Sequence, residues 1–398
     1  MRKFSTFFSL VLIVWTLNLN AQLPAPSLVQ NSFNINCGES ATFEIDNPDP
    51  QLTYLWYADD SGTDLIHTGE VFETDNLTIN TNFWVNAVDG LIASGVLEFT
   101  NAGASGRFGP SQAQIDAEYT GTSLDGSVTV IGDGIQEWTV PFTGTYTIDA
   151  YGAQGGFAGG GQAGLGARIS GEFDLIAGQK VHIIVGQQGG QYQANTRRWQ
   201  SSGGGGSFVV LEGAADESDI LVIAGGGGGY AHNRATNNVD GQAGPNGGNG
   251  SGNTSSSNGG SNGSGGLSSS GGNWGGGGGF IGDGTTATSR GGRSFLNGGL
   301  GGTGTVADVE GGFGGGGGVT RTLSNNTRRG AGGGGYSGGG AAHSTSTLTG
   351  TTGGAAGGGG GSYNNGLNQI NESGIRAGDG LVVISYDINN INDSSPLV

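Results

Sequence analysis

The chain has 398 residues, of which 90 are glycine and only 12% are charged, and its formal net charge is −18. This charge repels phosphate backbones and anionic lipid surfaces, so the composition excludes nucleic acid as an expected partner. Six tryptophans exclude a plain flexible linker, because such linkers lack the residues that build a core. A single cysteine excludes an internal disulfide framework, and we expect Cys37 to be a half-buried strand residue.

The first 21 residues have the pattern of a secretory signal peptide. Arg2 and Lys3 precede an apolar stretch at residues 7–17, and Asn20-Ala21-Gln22 is a suitable cleavage site. The apolar stretch is shorter than the about 20 residues that cross a bilayer, and no later segment is apolar enough. We therefore expect a secreted or surface-exposed protein without a stable membrane span in its mature form. A retained N-terminal anchor is the alternative.

Residues 27–90 have the features of a small all-β module. Short segments of alternating apolar residues are separated by turn-rich pieces, which is typical of a β-sandwich. The module resembles the immunoglobulin-like modules of secreted bacterial surface proteins through Cys37-Gly-Glu, Tyr54-Leu-Trp-Tyr and Thr81-Asn-Phe-Trp-Val. Such modules often carry a second cysteine near their end. None is present here, so we expect the core to pack around Trp56 without a disulfide.

A second domain is expected over residues 96–386. Nine further segments have the composition of strands: 96–100, 127–131, 136–140, 144–151, 167–175, 180–185, 207–211, 219–224 and 380–386. The runs 221–224 and 381–384 are continuously apolar, as in strands that are covered on both faces. Short strands without helical periodicity predict an all-β, jelly-roll-like sandwich.

A glycine-rich insert occupies residues 225–379. About five oligoglycine runs recur, and most adjoin an aromatic residue: Tyr230, Trp274, Phe280, Phe313, Tyr336 and Tyr363. Such a tract is either a flexible loop or a bundle of polyglycine-II helices, whose backbone groups pair laterally with three residues per turn. A coil of this length inside a compact domain is unusual, and the chain must return to a strand at 381–384. We therefore favour the ordered bundle, with the aromatic residues sealing its edge against the strands.

Several motifs in this domain follow one another in an informative order. They are Ile135-Gln-Glu-Trp-Thr-Val, Val181-His-Ile-Ile-Val-Gly, Gly203-Gly-Gly-Gly-Ser-Phe, Leu221-Val-Ile-Ala-Gly and Gly378-Asp-Gly-Leu-Val-Val-Ile-Ser. Over residues 96–386 the chain resembles the glycine-rich extracellular domain of the anaplastic lymphoma kinase and leukocyte tyrosine kinase receptor family. The resemblance implies a tumour-necrosis-factor-like sandwich fused to polyglycine helices. The receptors' cysteines, membrane span and kinase domain have no match here, so only the fold and a general extracellular recognition role are implied.

No residue pattern in the chain predicts catalysis, a cofactor or a metal. The four histidines, at positions 67, 182, 232 and 343, are scattered, and none forms a metal-spaced pair. The motif G-x-G-x-x-G recurs, but glycine abundance alone produces it, and no helix is expected after it. We predict that the protein is not an enzyme. A carbohydrate-active sandwich is the less favoured alternative, because it would need paired carboxylates in a cleft.

One candidate for partner contact stands out. Arg197, Arg198 and Trp199 form a basic-aromatic group that is echoed by Arg328 and Arg329. These residues either bind an acidic or glycan partner through bidentate and cation–π contacts, or lie in a solvent-facing loop whose charges are balanced by nearby acids.

The functional prediction combines these observations. We expect a non-catalytic recognition, adhesion or scaffolding protein that presents a rigid glycine-rich domain to an unknown extracellular protein or glycan. Ice binding is the alternative, because residues 345–352 form a threonine-rich stretch of the kind that a regular ice-binding face requires. The polar tail at 387–398 contains no recognisable anchor.

Overall fold

The architecture is taken from a computed structural model of the chain. It describes residues 7–11, 13–14, 26–49, 52–59, 65–89, 94–141, 143–158, 163–195, 198–231, 238–251, 258–268, 273–285, 289–320, 327–342 and 355–387. The threonine-rich stretch at 345–352 and all but the first residue of the expected polar tail lie outside this set. The described part is almost entirely β-structure, as predicted.

The N-terminal module consists of eight short strands. They are β1 (Phe7–Val11), β2 (Ile13–Val14), β3 (Ser32–Asn36), β4 (Thr42–Glu44), β5 (Leu52–Tyr57), β6 (Leu65–Thr68), β7 (Val71–Glu73) and β8 (Trp84–Asp89). One sheet has the order β2-β8-β5-β6, and two separate pairs join β1 to β3 and β4 to β7. Strands β1 and β2 lie in the segment expected to be a signal peptide, so in the unprocessed chain this segment pairs with β3 and β8.

Trp56 forms the centre of the module's core. Its side chain is fully buried, with ring-centroid distances of 5.9 Å to Phe43 and 5.3 Å to Phe72. Its indole N–H donates a hydrogen bond of 2.8 Å to the carbonyl of Gly69, so burial leaves no polar atom of the ring unpaired. The predicted core around this tryptophan is confirmed.

The prediction for Cys37 is wrong. The residue is exposed and lies in a turn that follows β3, not in a half-buried strand. The strand ends because Gly38 has a φ of +89°, a left-handed conformation that turns the chain away from the sheet.

The remainder of the chain contains one α-helix, sixteen strands and three short 3-10 helices (Glu217–Asp219, Phe295–Asn297 and Ala307–Val309) in the described residues. The α-helix and the strands follow in chain order. They are β9 (Ser94–Phe99), α1 (Gln112–Tyr119), β10 (Val128–Ile131), β11 (Ile135–Thr139), β12 (Gly144–Tyr151), β13 (Phe157–Ala158), β14 (Gly166–Leu175), β15 (Lys180–Ile184), β16 (Gln191–Asn195), β17 (Arg198–Ser201), β18 (Ser207–Leu211), β19 (Ile220–Ala224), β20 (Tyr230–Ala231), β21 (Thr327–Gly330), β22 (Tyr363–Asn364), β23 (Leu367–Arg376) and β24 (Leu381–Asp387). All nine predicted strands are present, with bounds that differ by at most two residues. Helix α1, the long strand β23 and six short strands were not predicted; the short strands are β13, β16, β17, β20, β21 and β22.

Two large sheets are joined by one hydrophobic cluster. One sheet has the order β10-β11-β15-β18-β19-β22, and the other has the order β23-β14-β12-β24-β9. Trp138 and Ile183 from the first sheet and Tyr146 and Ile384 from the second belong to the same buried cluster. This packing agrees with the predicted sandwich, while the jelly-roll connection order stays a prediction.

The two continuously apolar strands differ in their burial. Strand β19 is buried at every position, as predicted for a strand covered on both faces. Strand β24 instead alternates between buried and half-buried residues, so that prediction is wrong. Its second face, which includes Val383, is left partly open because no further layer packs there among the described residues.

The glycine segments pair with one another through their backbones. Gly226 and Gly229 are three residues apart, and both donate hydrogen bonds to the segment 331–334. Both also accept hydrogen bonds from the segment 357–360, and all four N···O distances are 2.8–2.9 Å. A three-residue repeat of lateral hydrogen bonds is the pattern expected of polyglycine II, which has three residues per turn.

Gly227, which follows Gly226, forms its backbone hydrogen bonds in another lateral direction. The N–H of Gly227 donates to the carbonyl of Ala153 at 2.8 Å, and its own carbonyl accepts from Gly204 at 2.9 Å. A Cβ at Gly227 would overlap the carbonyl of Gly164, so no side chain fits. Here glycine is required for close backbone approach, since none of these φ values is left-handed.

Aromatic residues seal the glycine segments against the strands, as predicted. Phe280, Phe313 and Tyr336 are all buried and share a hydrophobic cluster with Ile184 of β15 and Phe208 of β18. The cluster fixes one side of the glycine bundle to the six-stranded sheet by burial of apolar surface.

Candidate partner-contact site

The basic-aromatic group of the sequence lies in a separate three-stranded sheet of order β16-β17-β21, which we call the basic sheet. Strand β17 pairs antiparallel with β16 and parallel with β21. The register places Trp199 opposite Arg328 and Gln200 opposite Arg329. The two basic stretches that are far apart in the sequence are therefore neighbours in the fold. Arg197 lies outside the described residues, and for Arg198, Trp199 and Arg328 only the backbone is described.

Arg329 is the best-described cation of this sheet. Its guanidinium carbon lies 4.3 Å from the centroid of the Trp274 ring, which is a cation–π contact. Its Nε and the indole nitrogen of Trp274 are buried and have no hydrogen-bond partner among the described residues. Burial lowers the pKa of Arg329 below its ordinary value, although an arginine stays charged at neutral pH.

Acidic residues are scarce around the basic sheet. The sequence has no Asp or Glu at 191–211 or at 311–371, and these two stretches carry five arginines. Among the described residues, the ion pairs involve Arg168, Lys180, His182 and Arg293 but not Arg329.

Glu310 lies close to β16, because its carbonyl accepts a hydrogen bond from Gly190 just before this strand. Burial raises the pKa of Glu310, and the nearby charge of Arg107 opposes that effect. Both interpretations of the arginines, partner contact or balance by nearby acids, stay predictions.

Several chain segments begin and end beside the basic sheet. Residues 196–197 connect β16 to β17, and these two strands pair with each other. Strand β20, which precedes residues 232–237, contacts β17 and β21. Residues 321–326 lead into β21, and residues 343–354 lie between Ala342 and Ala355, which both hydrogen-bond to Gly330. Connecting segments that are held by a rigid scaffold are a common place for binding residues.

One exposed aromatic ring lies next to the sheet. Phe157 on β13 is 39% exposed, and its backbone N–H donates to the side-chain oxygen of Gln191 on β16 at 2.9 Å. Strand β13 also contacts β17. The described side chains of the sheet thus include the Arg329 cation and the Gln191 amide, and an accessible aromatic ring lies next to them.

A second polar cluster could hold a metal by its atom types. Glu137 on β11, His182 on β15 and Glu212 just after β18 place ligand atoms within 4.8 Å of one another. The ammonium of Lys180 lies 3.0 Å from Glu137 and 3.8 Å from Glu212, and its hydrogen bond holds the pKa of Glu137 below the ordinary value. Because a lysine already neutralises the carboxylates, we interpret this cluster as an ion-pair network.

Sequence reasoning missed this cluster and the Arg329–Trp274 contact. Glu137 and His182 are cross-strand partners, and their contact depends on strand register, which the sequence alone does not state. Trp274 was recognised only as an aromatic residue beside a glycine run. Its contact with Arg329 depends on which glycine segments are neighbours, and oligoglycine carries no signal for that.

Two matches to known proteins each cover part of the chain. Residues 24–93 match the family described as "Ig-like domain CHU_C associated", which confirms the predicted immunoglobulin-like module. A stretch of 97 residues, 23% of this chain, is 48% identical to the leukocyte tyrosine kinase receptor of Mus musculus and covers 11% of that receptor. The chain thus spans a small fraction of that relative. Both matches are compatible with a non-catalytic adhesion or recognition role outside the cell.

The described helices include none with the length and apolar character needed to cross a membrane.

Proposed function

We propose that the protein is a secreted or surface-displayed, non-catalytic recognition or adhesion protein. In this proposal residues 1–21 are a cleaved signal peptide and residues 27–90 are a spacer module. Residues 96–386 are a glycine-rich domain of the anaplastic lymphoma kinase and leukocyte tyrosine kinase type, with a polyglycine insert at 225–379. The partial similarity to a receptor kinase supports this assignment, although the receptor's own activity is not carried over.

The lateral hydrogen bonding of the glycine segments is the observation that carries the proposal. Backbone groups from several segments are paired with one another, as Gly226 and Gly229 illustrate, and the aromatic cluster fixes the bundle to a sheet. Such a scaffold loses little conformational freedom when a partner binds, because its backbone is already ordered. It therefore suits a recognition role.

The proposed partner contacts are Arg197, Arg198 and Trp199. This choice is supported by the backbone register, in which Gln200 of β17 is opposite Arg329, the partner of Trp274 in the cation–π contact. Arginine and tryptophan are enriched among residues that dominate binding energy, because they combine a large contact area with directional hydrogen bonds. The partner expected from the sequence is an extracellular protein or glycan.

Two measurements on the processed full chain test the proposal. Amide hydrogen exchange should be at least about a thousandfold slower than free coil at Gly226–Gly229 and their partner segments, because opening them breaks a cooperative unit. In a screen of secreted proteins and glycans, we expect selective binding that weakens at least about tenfold in the variant R197Q/R198Q/W199A. Coil-like exchange, or the absence of any selective partner, would refute the proposed function.

A further inference from the structure

We propose that strand β23 is a self-association surface, through which two copies of the chain pair antiparallel around a two-fold axis at Asn371. The pairing joins the five-stranded sheets of the two copies into one continuous sheet. This inference goes beyond the proposed recognition function, because it assigns a partner to a surface that the function does not use.

Strand β23 is an open edge of its sheet. It comes first in the order β23-β14-β12-β24-β9, and among the described residues it pairs with β14 alone. No backbone hydrogen bond from another described segment reaches Leu367–Arg376. The N–H of Ala243 donates to the hydroxyl of Ser373 at 2.9 Å, and Ser373 stays exposed. The outward backbone groups of such an edge can accept one further strand.

The edge also carries apolar side chains that the fold does not bury. Leu367, Ile370 and Ile375 are 71%, 43% and 47% exposed. No other strand in the described part of the chain has more than one exposed large apolar residue. Sheet edges that stay unpaired are usually short or strongly charged, whereas β23 has ten residues and only two charges. A strand that pairs with β23 would remove part of this apolar surface from water.

The backbone of β23 has irregularities on both sides of Asn371 at equal distance. Asn368 precedes it and Gly374 follows it by three residues, and their φ values are +49° and +67°. The register with β14 likewise shifts only outside residues 370–372. Because left-handed residues interrupt regular pairing, they bound a regular stretch at 369–373. A two-fold axis at Asn371 pairs this stretch with its own copy and places Leu367 opposite Ile375 of the second copy.

Charge favours a second copy of this chain as the occupant. The whole chain has a net charge of −18, but Glu372 and Arg376 are the only charged residues of β23 and cancel each other. Two acidic copies can therefore meet at this strand without like charges on the paired strands. The exposed amide of Asn371 donates to the Gln369 side chain at 3.2 Å. An amide group both donates and accepts, so identical amides can pair across a two-fold axis.

The test measures the molar mass of the processed full chain by sedimentation velocity between about 1 and 300 µM. We expect a reversible monomer–dimer equilibrium in this range, because one strand pair is a small interface. The dimer should strengthen when salt is raised from about 0.05 to 0.5 M, since salt screens the repulsion between two acidic chains.

Opposite charges at position 371 test the two-fold axis. Asn371→Lys and Asn371→Glu each place like charges opposite one another, so each should weaken the dimer at least about tenfold. An equimolar mixture of the two variants should associate at least as tightly as the unmodified protein, because the introduced charges then attract. The matched controls are Thr129→Lys and Thr129→Glu, since Thr129 is exposed on β10, the edge strand of the other large sheet. They should change the dimer affinity less than about twofold.

A second variant removes apolar surface without adding charge. Leu367→Ser/Ile375→Ser should weaken the dimer at least about fivefold, and it keeps the test valid if a charge at position 371 lowers stability. Thermal unfolding of every variant shows that it is folded before its mass is compared.

Several outcomes would overturn the inference. It fails if the unmodified chain is monomeric at every concentration, or if neither Asn371 variant weakens the dimer. It also fails if both variants are folded and their mixture stays monomeric. If the unmodified chain is monomeric and Asn371→Lys abolishes binding of a partner from the screen of secreted proteins, the edge pairs with a different protein. The proposed recognition function is judged separately, by exchange protection of the glycine segments and by selective binding.

Discussion

Replacement of Gly227 by alanine tests the physical basis of the glycine bundle directly. The added Cβ would overlap the backbone of Gly164, which cannot rotate away as a side chain could. Displacing Gly164 breaks two hydrogen bonds, from the Gly155 N–H to the Gly164 carbonyl at 2.9 Å and from the Gly164 N–H to the Gly228 carbonyl at 3.2 Å.

The expected loss of stability follows from these two bonds. Each buried group left without a partner costs about 1–3 kcal/mol, and alanine returns about 0.4–1 kcal/mol by restricting the unfolded chain. For the two bonds together, the free energy of unfolding should therefore fall by about 1–6 kcal/mol. Urea denaturation followed by tryptophan emission measures this difference.

A matched glycine provides the control for this substitution. Gly244 is exposed, has no heavy atom within 4 Å of a built Cβ, and has no left-handed φ, so alanine fits there without strain. Gly244→Ala should change the free energy of unfolding by no more than about 0.5–1 kcal/mol. Equal denaturation midpoints for the two variants would show that the glycine segments are not closely packed, and the rigid-bundle argument would fail.

Three further predictions concern other parts of the chain. Trp56→Ala should destabilise the N-terminal module by about 3–5 kcal/mol, as for other large buried aromatic residues. The same change at the half-buried Trp84 should cost less, and thermal unfolding of the two variants measures the difference in stability. Glu137→Gln should lower stability at neutral pH, because the Lys180 hydrogen bond depresses the carboxyl pKa in the folded state. That stabilisation is present above the unfolded pKa of 4.5 and is lost as pH falls through the lower folded pKa. The stabilities of variant and unmodified protein, measured by acid denaturation, should therefore become equal at low pH. A stability difference that persists in strong acid would contradict this origin. Mass spectrometry of the exported protein should find an N-terminus at Gln22, and an intact N-terminus would favour the retained anchor.

Much of the β-framework could be predicted because its signals are local. Alternation in β12 and the apolar run of β19 determine which residues are strands, since side chains on a strand alternate between faces. Helix α1 was missed although Ser111 and Gln114 form a capping box, which is a recognisable sequence signature. Its buried Ile115 and Tyr119 show only a weak helical periodicity. Strand β23 was missed because it is largely exposed and lacks regular alternation.

The candidate site was predictable only in part. Arg198 and Trp199 are recognisable in the sequence as a basic-aromatic pair, and Arg328 and Arg329 form a second basic pair. Their adjacency is a property of the parallel pairing between β17 and β21, which are separated by more than a hundred residues. No local pattern encodes such a long-range parallel pair.

The sequence by itself determined nine strands of the second domain, the immunoglobulin-like module and the need for lateral backbone pairing in the glycine segments. The last point follows because polyglycine has no side chains to bury, so only its own amide groups can hold it in place. The tertiary structure decided which segments are neighbours, and therefore that Arg329 lies against Trp274 beside β17. Glycine runs have nearly identical sequences, so the sequence does not show which runs pair. The strands and aromatic residues on either side of each run determine its neighbours in the folded chain.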